Sequence, residues 1–113
     1  MNTYAAGPPA RNETDMLPHI IALAQQCGWL VQHARPARTA KGWQTPIQGD
    51  AGFPDLCMVR GGRLIFAELK STGKQPGPEQ REWLDRLQVS AGVELYVWRP
   101  DSWNSGAIAE VLA

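Results

Sequence analysis

The stretch that most constrains this chain is DLCMVRGGRLIFAELK, residues 55–70. Two apolar runs flank Gly61-Gly62, and a glycine pair between such runs is a favoured two-residue hairpin turn, because both central positions need positive φ. With Arg60 and Arg63 closing the turn, pairing outward in step sets Asp55 opposite Glu68. Directly opposed residues share a face, with Cβ atoms about 5 Å apart. Alternation along the strand adds Lys70 to that face. The hairpin therefore brings two carboxylates and an ammonium together where the sheet should be apolar.

Like charges opposed in a partly buried sheet are destabilising unless something neutralises them. A divalent cation does so, and hard ions such as Mg²⁺ take carboxylate oxygens plus waters as ligands. Such ions commonly serve phosphate chemistry, polarising a phosphoryl oxygen and activating a water, while a lysine orients that water or stabilises developing negative charge. The plainer alternative is a surface salt bridge among Asp55, Glu68 and Lys70 at a frayed strand end.

The rest of the chain reads as one domain. At 113 residues it is long enough for a real core but not for two. Residues 1–12, with Pro8-Pro9, are expected to be a flexible lead-in to a single domain over 13–113. Met16, Leu17, Ile20, Ile21, Ala24 and Cys27 recur at helical spacing up to Gly28. Asp15 as N-cap would put Pro18 in the first turn, where its missing N–H costs little. WLVQH (29–33) is a short strand, and 35–52 is a long Gly- and Pro-containing polar connection. After the hairpin, Pro78 opens a helix to about Ala91 with Trp83, Leu84 and Leu87 as its apolar stripe. A strand over Val93–Trp98 and a short helix over Ala107–Leu112 complete the order.

Two cysteines give neither a disulfide framework nor a zinc set, and the apolar surroundings of Cys27 and Cys57 suggest buried thiols. The start of the chain lacks a signal-peptide pattern and no apolar run is long enough to span a membrane, so a cytoplasmic location is expected. A net charge of zero argues against coating nucleic acid by bulk charge. It leaves room for a local patch, because Met16–Gly49 contains no Asp or Glu but carries Arg35, Arg38 and Lys41. An ordinary solvated loop would look the same. Gln80 precedes Trp83, Leu84 and Leu87 by three, four and seven residues, so it lies on the core stripe of its helix. A buried amide needs partners. A capping box offers one, but the N-cap would be Gly77, without a side chain, so the reading favoured is that Gln80 reaches the polar cluster.

These residues carry a resemblance. GFPDL, then AELK thirteen residues after the aspartate, then PEQREWLDRL, resembles the PD-(D/E)XK nuclease superfamily, and more closely its stand-alone VRR-NUC domains. It runs from about Glu13 to the C-terminus through GWL, QHAR, GDAGFPDL, ELK and VELYVWRP. The fold it implies is α/β: a restriction-endonuclease-like core with a mixed sheet of about four strands flanked by helices. The resemblance implies Asp55, Glu68 and the Leu69 carbonyl as ligands of Mg²⁺ or Mn²⁺, Lys70 as the catalytic lysine and Gln80 as an accessory glutamine. Glu13 matches a first-helix glutamate, although a helix starting only near Pro18 would leave it short of the site. The implied activity is hydrolysis of phosphodiester bonds in DNA, branched DNA such as four-way junctions in particular, by a homodimer, with no small-molecule substrate and no membrane. Arg35, Arg38, Lys41, Trp43 and Lys74 are the expected nucleic-acid contacts. Five tryptophans in so small a chain suggest one or two at a subunit contact, the alternative, favoured for Trp29 and Trp83, being that they cover the sheet under the helices. A non-catalytic DNA-binding module of the same fold and a ribonuclease of the same chemistry are the alternatives.

Overall fold

The computed structural model describes residues 7–34, 37–39, 42–44 and 47–113. Helix α1 spans Glu13–Gln26 and leads through Gly28, at φ +90°, into β1 (Leu30–Gln32). Two three-residue strands follow, β2 (Ala37–Thr39) and β3 (Gly42–Gln44). They pair antiparallel with Arg38 opposite Trp43. The stretch expected as an unbroken connection thus contains a small hairpin of its own. Next come β4 (Leu56–Arg60), β5 (Arg63–Leu69), α2 (Pro78–Gln88), β6 (Val93–Trp98), α3 (Pro100–Asn104) and α4 (Ala107–Leu112).

The main sheet has the order β1-β4-β5-β6. The first two pairings are antiparallel and β5 with β6 is parallel, so the fold is α/β with a mixed four-stranded sheet and helices on both faces. In the β4–β5 hairpin Arg60 pairs with Arg63, Met58 with Ile65 and Leu56 with Ala67, the register that the Gly61-Gly62 turn requires. Leu56, Met58, Ile65, Ala67 and Leu69 point to one face, where they meet Met16, Ile20, Leu23 and Ala24 of α1, Trp103 of α3 and Ile108 and Leu112 of α4. The opposite face carries Cys57, Leu64, Phe66 and Glu68; α2 packs against β6, and its Leu84 is buried.

Helix α1 starts earlier than expected. Asn12, not Asp15, is the N-cap, and its side chain accepts the Asp15 N–H at 2.9 Å. Asp15 lies in the first turn, ion-paired to Arg11 at 2.9 Å. Pro18 falls inside the helix, where the bond it cannot donate costs the Thr14 carbonyl, on an exposed residue that water can reach. The lead-in is also tied down from Pro8. The Trp103 indole donates to the Pro8 carbonyl, and Asn104 exchanges two hydrogen bonds with the Ala10 backbone. Residues 1–6 lie outside the described residues.

Further details bear on the expected order and packing. Helix α2 ends at Gln88 rather than near Ala91, and α3 is an additional helix opened by Pro100. Trp29, Trp98 and Trp103 are all buried in the core, so the tryptophan count gives no ground for a subunit contact at those three. Cys27 and Cys57 are half-buried, with burial pushing the Cys57 thiol upward. No helix among the described residues is long and apolar enough to cross a membrane.

Candidate metal and phosphate site

Asp55 sits one residue before β4, and the hairpin register continued by one step sets it against Glu68. Its carboxylate turns across the end of the ladder, where Oδ2 accepts the backbone N–H of Leu69 at 2.7 Å. In extended chain the N–H and C=O of one residue point the same way, so Leu69 aims its carbonyl toward the Asp55 side as well. Strand geometry thereby sets the two main-chain groups of Leu69, and the bond to its N–H holds the Asp55 carboxylate beside them.

The approach to Asp55 is set by α2. Gly52 has φ +99°, and a Cβ there would lie 2.5 Å from the Glu79 carbonyl carbon, so only glycine lets the loop lie against the first turn of α2. The Trp83 indole donates to the Ala51 carbonyl at 3.0 Å, and Phe53 packs edge-on against Trp83 and Phe66. Pro54 is buried, and Asp55 follows it at the site.

Glu68 is 1% exposed. That excludes a surface salt bridge, and no ion pair joins Asp55, Glu68 and Lys70 among the described residues. The Glu68 carboxyl is pushed up to about 9, by burial first and then by the Asp55 carboxyl beside it; Lys70 opposes the shift and Glu13 adds to it. Its Oε2 is buried without a hydrogen-bond partner among the described residues. An acceptor so placed costs free energy unless a cation or a proton meets it. Lys70 is half-buried on the Glu68 face, its backbone N–H held by the Trp98 carbonyl at 3.0 Å.

Because α1 begins at Glu13, that residue reaches the site. Its N–H donates to Ser71 Oγ, just after Lys70, and it lines a cavity of about 160 Å³ with Thr14, Leu17, His33, Asp55 and Leu69. Among the described residues no three His, Cys, Asp or Glu side chains come together as a ligand set. A cation here would rest on Asp55 and Glu68, a main-chain carbonyl and waters, a donor set that suits Mg²⁺. Glu13 lines the same cavity and would add negative charge beside such an ion.

Gln80 does not reach the cluster. Its Oε1 accepts the Gly77 N–H at 2.9 Å, closing the half of a capping box that needs no N-cap side chain. Helix α2 therefore serves the site through Gly52 and Trp83 instead. Arg35 and Lys41 lie outside the described residues, while Arg38 and Trp43 are register partners in the β2–β3 hairpin. Lys74 is exposed in the connection after Ser71, its carbonyl accepting Arg99. A larger groove of about 700 Å³ along α2 is lined by Trp83 and Leu87 but also by Asp50, Glu79 and Glu82. Neither Asp55 nor Glu68 borders it, and its carboxylates would repel phosphates.

His33 and Ser71 are site residues that sequence reasoning passed over. His33 Nδ1 lies 2.9 Å from the Asp55 carbonyl oxygen. No family model matches this chain, and no curated protein does.

Proposed function

We propose that this protein is a Mg²⁺- or Mn²⁺-dependent nuclease that hydrolyses phosphodiester bonds in DNA, built on a PD-(D/E)XK core of the VRR-NUC kind. The observation that carries the reading is Glu68: a carboxyl driven toward its neutral form by burial and by Asp55, with one oxygen lacking any partner among the described residues. Such an arrangement is costly in a protein that binds nothing there and is relieved by a divalent cation.

Asp55, Glu68 and the Leu69 carbonyl would hold the ion, with Glu13 adding negative charge at the cavity. The bound ion supplies Lewis-acid polarisation of a phosphoryl oxygen and a more acidic water. Asp55 keeps its geometry through the Leu69 N–H, and Glu68 through its pairing with Val97 near the end of β5. The Lys70 ammonium, free of ion pairs among the described residues, stabilises the negative charge that develops on the phosphate. Phosphate contacts from Arg35, Arg38, Lys41 and Lys74 would add affinity without sequence preference. Branched DNA is the proposed substrate and a homodimer the proposed active species, since a two-fold pair presents two sites to two strands.

A cleavage panel tests this. Linear, flapped and four-way DNA, with an RNA arm, are incubated with Mg²⁺, Mn²⁺ or chelator, using wild type and Asp55→Asn. Metal-dependent cutting of DNA that Asp55→Asn loses is the expected result, with light scattering giving a dimer. Equal activity in chelator, or full activity in Asp55→Asn, overturns the reading.

A further inference from the structure

The pairing of β1 with β4 stops at Gln32 opposite Cys57, two residues short of Asp55. Strand β1 has three residues and forms the edge of the sheet, so nothing in its ladder holds the backbone at the site. The next residue does. From His33 the imidazole reaches past the end of the ladder, and Nδ1 meets the Asp55 carbonyl oxygen at 2.9 Å. A carbonyl only accepts, so Nδ1 must carry the proton and donate. On the other side, the Asp55 carboxylate is tied to the Leu69 N–H of β5. Asp55 is therefore gripped from both neighbouring strands: its backbone from β1, its side chain from β5.

We infer that His33 is a positioning residue for the metal site, fixing through its Nδ1–H the Asp55 peptide and hence the direction of the Asp55 carboxylate toward Glu68. This rests on the metal-site reading above. Without the ring, the Asp55 carbonyl loses its donor and its peptide can rotate, moving the carboxylate while leaving the hairpin register intact. The same His33 side chain lines the cavity shared by Glu13 and Asp55, so its loss also opens that wall. Partners that orient a metal ligand are typically worth about 10- to 100-fold in metal affinity.

The test uses the full chain and Mn²⁺ alone, titrated by calorimetry, with the Mn²⁺-induced rise in Tm as a second readout. His33→Asn places an amide N–H close to where Nδ1 stood, whereas His33→Gln places it near Nε2. We expect His33→Asn to bind Mn²⁺ nearly as wild type, and His33→Gln and His33→Ala to weaken binding by about tenfold or more. Wild-type affinity in His33→Gln, or equal loss in Asn and Gln, overturns the inference. If His33→Ala fails to fold, the Asn–Gln comparison decides alone. Asp55→Asn separates the two levels. Binding that Asp55→Asn abolishes but no His33 substitution alters sinks only the positioning role. Absence of Mn²⁺ binding in wild type sinks the metal site and this inference together.

Discussion

Replacing Glu68 by glutamine should make the protein more stable than wild type at neutral pH in chelator, by an amount that grows with pH. In the folded chain the Glu68 carboxyl is pushed up to about 9 by burial and by Asp55, against an ordinary 4.5 when unfolded. Between those values the folded protein holds a proton that the unfolded chain has released. Stability therefore falls as pH rises through this window, the reverse of a salt-bridged carboxylate. Each pH unit is worth about 1.4 kcal/mol, so by pH 7 this one group costs roughly 3 kcal/mol. A glutamine amide has no proton to lose and can donate toward Asp55 as the protonated acid does. The variant should thus match wild type near about pH 4.5 and exceed it by roughly 3 kcal/mol at pH 7, on the order of 10 °C in Tm. Urea unfolding at stepped pH in EDTA measures the difference, which cancels the titration of other groups. Saturating Mn²⁺ should then stabilise wild type more than the variant, because the ion takes the place of the proton. Parallel pH curves for the two proteins would refute the argument.

Lys70→Ala should lower kcat by about 10²-fold while leaving DNA affinity in Ca²⁺ nearly unchanged, since its ammonium acts on charge that develops during the reaction; a loss confined to KM would contradict that role. Gly52→Ala should destabilise by about 1–3 kcal/mol in urea unfolding, because its Cβ would lie 2.5 Å from the Glu79 carbonyl carbon at φ +99°; a neutral result would mean that the loop does not rest on α2. Replacing Arg35, Arg38 and Lys41 together by alanine should weaken DNA binding across sequences and reduce the slope of log K against log salt by up to about 3. An unchanged slope would assign those residues to an ordinary solvated loop.

What could be read from the sequence is what short-range geometry dictates. The hairpin register follows from a two-residue turn and the period of two, which is why the residue pattern alone sets Asp55 and Glu68 opposite each other. The start of α1 was ambiguous because Asn12 and Asp15 are both good caps. Two interactions decide it: Asn12 takes the Asp15 N–H, and Arg11 engages the Asp15 carboxylate. Gln80 is hard to place from sequence because the glutamine half of a capping box works even over a glycine N-cap, which has no side chain to signal it. Trp103 sits on α3, a helix of five residues behind a proline, too short to show a period. His33 was invisible for a different reason. Its partner is a main-chain carbonyl 22 residues away, and backbone groups leave no trace in a residue pattern.

The position of Glu68 also bears on whether a fold like this would keep its site without using it. Phe66, two residues away on the same face of β5, shows that this face of the hairpin accepts an apolar side chain. A glutamine or leucine at position 68 would leave no proton to be held at neutral pH, and would relieve the same roughly 3 kcal/mol. For a domain whose whole stability is on the order of 10 kcal/mol, that is a large standing cost. A module that merely bound DNA through its basic residues would gain nothing from bearing it. A site that must seize a divalent cation does gain, because the ion takes the place of the proton that the metal-free protein must hold on Glu68.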